Sequence, residues 1–180
     1  VILLLYRLGS HISIPGMDIA ALQSMFSNNS VLGFVNLFSG GALSRFSIFA
    51  LGILPYINAS IIMQLLTIIW PSLKELAEEG DSGRKQVAQY TRYLAVILSL
   101  FQSIVMAVGF KAYILPEINF LFFLFYAVAS LVAGAALVMW FGELISENGI
   151  GNGASILIFI GIIAEVPFYI TNTISLVNFK

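Results

Sequence analysis

The stretch FSGGALSRFSIFALGILPYINASIIMQLL, from Phe38 to Leu66, decides how this chain is built. From Phe46 to Trp70 the chain is apolar and long enough to cross the roughly 30 Å hydrocarbon layer of a bilayer, yet Gly52, Pro55, Asn58 and Gln64 fall inside it. A proline within a helix removes a backbone donor and clashes one turn back, so a break is expected between Gly52 and Pro55. After the break, Tyr56 to Trp70 reads as one helical limb that Pro71 stops. Before it, Phe38 to Arg45 is short, broken by Gly40 and Gly41 and charged at Arg45, so it cannot lie in lipid. Irregular backbone at membrane depth is tolerated only inside protein or along a watery cavity. The expectation is a re-entrant half-helix over 37–52 followed by a limb over 53–70, a pattern that points to a channel or a transporter.

The rest of the chain agrees with a membrane setting. Of its 180 residues, 59% are hydrophobic and 9% charged, and the mean hydropathy is +0.98. A soluble domain carries roughly a quarter charged residues, so 8 basic and 9 acidic side chains cannot cover a globule of this size. The formal charge of -1 supplies no basic field for nucleic acid. Without cysteine, and with His11 as the single histidine, thiolate chemistry and a zinc site both lack ligands.

Two stretches, Tyr93 to Phe110 and Phe120 to Gly142, run without charge for about the 20 residues a spanning helix needs. They predict spans over 93–110 and 119–142, and a further span is expected over 154–176, tilted or kinked at Pro167. Val1 to Leu8 is apolar but too short to cross and reads as the end of a first helix over 1–10. Between His11 and Asn36, Pro15-Gly16 and Asn28-Asn29-Ser30 read as turns around a short helix from Asp18 to Phe26. The stretches 71–92 and 143–153 are expected as loops. Lys74, Arg84, Lys85 and Arg92 in the first, against Lys111 alone in the opposite loop, put 71–92 on the cytoplasmic side, and 143–153 is expected as the other cytoplasmic loop.

Several residues that suggest chemistry have plainer readings. His11 lies beside Ser10 and Ser13, but nothing evident would orient it as a base, so it reads as an imidazole at a helix end. Gly80-Asp81-Ser82-Gly83-Arg84-Lys85 lacks the spacing of a phosphate loop, and Gly149 to Gly153 reads as a tight turn. Asn58 and Gln64 either join two helices by a hydrogen bond or line a path. Glu165, next to Pro167 and the far interface, reads as solvated.

The quoted stretch closely resembles the second transmembrane region of the SecY family, which forms protein-conducting channels. Ile14-Pro15-Gly16-Met17-Asp18, EGDSGRKQVAQYTRY from Glu79 to Tyr93, and GIGNGASI from Gly149 to Ile156 resemble the same family in the same order. The resemblance implies an all-α polytopic membrane bundle forming the amino-terminal half of a channel that passes unfolded polypeptide and releases apolar segments sideways into lipid. It implies a plug at Phe38, Ser39, Gly40, Gly41, Ala42, Leu43, Ser44 and Arg45, continuing to about Ser47, and a pore ring at Ile53, Ile57, Ala154 and Ile158. Ala154 stands where the family often has a larger aliphatic. Ile61 and Gln64 fall by helical spacing on the face that would form a lateral gate, and Arg84 and Lys85 are either partner contacts or topogenic charges.

Implied partners are SecE-type and SecG-type small membrane subunits, a SecA-type motor ATPase or a translating ribosome, signal sequences and nascent polypeptides, and membrane lipid. The implied membrane is a bacterial plasma membrane or a plastid thylakoid. No cofactor, catalysis or sequence-specific nucleic-acid contact is expected. The competing reading is half of a secondary small-solute transporter whose broken helix holds the solute.

Overall fold

The computed structural model describes residues 1–149 and 151–178. Its elements are α1 (Ile2–Gly9), α2 (Ile19–Asn28), α3 (Ser30–Phe38), α4 (Leu54–Ile69), α5 (Pro71–Glu78), α6 (Asp81–Gly109), a single 3-10 turn (Lys111–Tyr113), α7 (Phe120–Asn148) and α8 (Gly153–Asn178). No strand occurs among the described residues. Isolated bridges from Ser13 to Ser47 and from Met17 to Ile114 stitch the irregular segments together.

The break at Gly52 is local backbone chemistry. Gly52 takes a left-handed φ of +57°, and α4 starts two residues later with Pro55 in its first turn, where a missing N–H has no helical partner to lose. At the other end Trp70 is extended (φ -101°, ψ 110°), as a residue before proline prefers. Pro71 then opens α5, which turns 103° from α4. Gly80, at φ +84°, reverses the chain into α6.

Helices α6 and α7, each of 29 residues, reach about 43 Å at ~1.5 Å per residue and overhang the hydrocarbon layer. They and the bent α4–α5 pair are the membrane-crossing candidates, with α8 apolar from Gly153 to Pro167. The buried residues of α6 are small, Thr91, Ala95, Ser99, Ser103 and Ala107 among them, and Ala95 and Ser99 lie beside Pro55 and Tyr56 of α4. Helices in lipid gain little from hiding apolar surface from one another, so close approach through small residues is what holds them.

Several expected boundaries shift. The stretch 71–92 is not a loop, because α5 and the first turns of α6 occupy most of it. Likewise, α7 continues to Asn148, well into the expected 143–153 loop. Residues 39–53 contain no half-helix; they form successive turns. Helix α3, just before them, replaces what read as polar connecting chain. Helix α2 is capped by Asp18, which accepts from the Ala21 amide at 3.0 Å, and α8 continues through Pro167. Ile150, within the expected Gly149–Gly153 turn, lies outside the described residues.

Candidate functional site

The turns over 39–53 sit inside the bundle. Phe46 is fully buried, with ring centroids 6.1 Å from Phe110 and 6.0 Å from Phe123. Its φ of +45° is the left-handed conformation side chains avoid. Its carbonyl accepts from the Ile14 amide at 2.9 Å. Farther along, the chain crosses α7 at Gly134, where any Cβ would overlap the Ile48 carbonyl.

A turn segment lacks the repeating bonds of a helix, so its buried polar groups need individual partners. Asn36, near the end of α3, supplies three of them. Its side-chain oxygen accepts from the Ser44 amide at 2.8 Å, and its carbonyl accepts from the Gly41 amide at 3.0 Å and the Ser39 hydroxyl at 2.9 Å. The Ser44 hydroxyl donates to the Gly41 carbonyl at 3.1 Å. Gly40 and Gly41, with φ of +62° and +77°, are buried against α8 rather than facing a water-lined cavity. A Cβ on Gly40 would lie 3.0 Å from the Cα of Gly161.

Charge enters here too. Arg7 of α1 donates to the Gly40 carbonyl at 2.8 Å and pairs with Glu165 of α8 at 3.3 Å. Glu165 is therefore not solvated; it is 6% exposed. Neither Arg7 nor Glu165 stood out in the sequence as a pair, since 158 positions separate them. The available signal was that each is an isolated charge in an apolar run.

The structure brings the four expected ring positions together. Ile53 is buried, and Ile57, Ala154 and Ile158 pack half-buried on the same cluster as Phe49, Val138, Phe141 and Leu157. One turn beyond Ile158, Gly161 meets Gly40, so the aliphatic cluster and the turn segment adjoin. Ile61 and Gln64 fall on an exposed face of α4 with Leu54, Leu65 and Ile68. Gln64 bonds Ser60 of its own helix at 3.4 Å and Asn58 is exposed, so among the described residues neither joins two helices. Arg84 and Lys85 are exposed on the first turn of α6. His11 contacts the Arg7 carbonyl at 2.9 Å, at the end of α1. No cluster of His, Asp and Glu that would hold a metal occurs among the described residues.

A bundle of membrane-crossing helices, with one irregular segment packed inside it against an aliphatic cluster, defines an all-α polytopic membrane protein. A family model described as SecY matches residues 47–180. The protein translocase subunit SecY of Pseudomonas aeruginosa is 52% identical over 167 residues, covering 92% of this chain and 38% of the relative. The subunit of the same name from Escherichia coli K12 is 50% identical over 180 residues (96% and 40%), and that of Vibrio cholerae 49% over 176 (96% and 40%). The chain belongs to the SecY family and is a multi-pass protein of a bacterial membrane. It spans about two fifths of the length of these curated relatives.

Proposed function

We propose that this chain provides the amino-terminal part of the central subunit of a protein-conducting channel, acting as a passage and not as an enzyme. The observation that carries the proposal is the meeting of Ile53, Ile57, Ala154 and Ile158 in one apolar cluster beside the buried turns. A collar of branched aliphatics strips water from ions, yet offers no directional bonds that would favour one passing sequence over another. The small side chain of Ala154 makes that quarter of the collar the loosest. In this reading the segment from Phe38 to Arg45 is the plug.

Lateral release needs no catalysis. An apolar segment gains free energy on entering lipid, whereas each Asp, Lys or Arg costs about 2.5 to 3.5 kcal/mol at the helix centre. The exposed α4 face with Ile61 and Gln64 suits such a gate. Arg84 and Lys85, on the side assigned to the cytoplasm, suit an acidic or phosphate-bearing partner such as a SecA-type motor or a translating ribosome. SecE-type and SecG-type subunits complete the assembly, and signal sequences and nascent polypeptides are its cargo. The shared name of the relatives favours polypeptide over a small solute.

The decisive experiment is Ile57→Asn in the membrane-reconstituted channel, with resting ion conductance as the readout. A wetted collar is expected to leak several-fold more. Conductance equal to that of the unaltered channel would overturn the assignment.

A further inference from the structure

Gly40 and Gly41 lie between charged groups on three elements. Arg7 reaches from α1 and bonds the Gly40 carbonyl through Nη1 (2.8 Å) while its Nη2 meets Glu165 (3.3 Å). A Cβ on Gly41 would lie 2.5 Å from Oε1 of Glu165 and 3.5 Å from Nη1 of Arg45. That Arg45 nitrogen is buried and has no acceptor among the described residues. One buried carboxylate therefore stands against two guanidinium groups, one from the body of the bundle and one from the turn segment.

We propose that Arg7 and Glu165 form an electrostatic latch that holds the turn segment against α8. The single bond from Arg7 of α1 to the Gly40 carbonyl, with Arg7 in turn held by Glu165, ties the turn segment to both α1 and α8, and the carboxylate keeps Arg7 and Arg45 from repelling each other across the two glycines. A charge-assisted bond in a low-dielectric site is strong while it is whole. Removing Glu165 leaves Arg7 and the buried Arg45 nitrogen facing each other without an intervening negative charge, and removing Arg7 unties Gly40. The latch is thus firm when closed and weak once either member withdraws, which suits an element that must leave and return as a unit. The inference rests on reading this segment as the plug.

The test is a double-mutant cycle in the membrane-reconstituted channel, with Arg7→Gln, Glu165→Gln and the pair together. The readouts are resting ion conductance and the labelling rate of a reporter cysteine, Ser44→Cys, by a water-soluble thiol reagent. Each single change is expected to raise labelling of the idle channel by about tenfold, the scale of a lost charge-assisted bond. The double change is expected to fall well short of the product of the two singles, because both remove the Arg7–Glu165 bond, and to resemble Arg7→Gln, which alone also removes the bond to Gly40. Labelling unchanged by Glu165→Gln, or effects of the two singles that multiply in the double, would overturn the latch. The plug reading has its own control: in the channel with native charges, labelling at Ser44→Cys should rise when polypeptide is being passed. If that control responds while Glu165→Gln does nothing, the latch alone fails; if the control is flat, the plug reading fails first.

Discussion

The α6–α7 pair and the turns over 39–53 solve the same problem in opposite ways. Both place backbone at the depth of the bilayer, where an unpaired amide or carbonyl costs several kcal/mol. Helices α6 and α7 satisfy their backbone from within and meet through small side chains such as Ala107 and Ala135. The turns bond partly within themselves and partly to partners outside: Asn36, Ile12, Ile14 and Arg7 all bond into the segment. Self-sufficient structure is permanent, whereas structure completed by borrowed partners can be released by withdrawing them. Under the proposed plug reading, the difference separates a wall from a movable part within one continuous chain.

The comparison is most exposed to failure at Phe46. Phe46→Ala empties a fully buried ring site between Phe110 and Phe123, and a cavity of that kind costs about 3 to 5 kcal/mol. Thermal unfolding in detergent is expected to show the loss, and hydrogen exchange to concentrate it in 39–53. An equal loss of protection in α6 and α7 would mean that the two regions are one cooperative unit. A sharper probe is Asn36→Leu, which removes the acceptor of the Ser44 amide and strands a buried donor at about 1 to 3 kcal/mol. Faster exchange of the Ser44 amide, with α7 unchanged and the Gly41 amide still held by the backbone carbonyl at position 36, is the expected pattern. The smallest effect belongs to the wall. Arg92→Gln breaks a 2.7 Å pair with Glu143 that joins α6 to α7, and a pair this open to solvent contributes about 1 kcal/mol or less. The melting temperature should fall only slightly, with exchange in 39–53 untouched.

The wall was largely legible in the sequence because its signal is local. Uninterrupted apolar runs announce α6 and α7, and Gly52, Pro55 and Pro71 mark where α4 begins and ends. The ends of α6 and α7 were misread because hydropathy reports the lipid boundary, whereas Gly80 and Gly149 fix where the helices stop. The turn segment was located, since glycines and an arginine in an apolar context cannot be lipid-facing. Its conformation was not legible, because successive turns and a half-helix share the same composition. Least visible was the pairing of Arg7 with Glu165: nothing near Glu165 in sequence signals a partner, and proximity to Pro167 suggested an interface instead.

The Gly40–Gly161 contact has a mechanical consequence. Where two stretches of backbone meet glycine to glycine no side chains interlock at that point, and the hold beside it falls to Arg7 and Glu165. At the glycine contact itself, separation would require no change of rotamer. Under the proposed plug reading such a seam works like a gasket: it yields without tearing its surroundings and seats itself again without rehearsal.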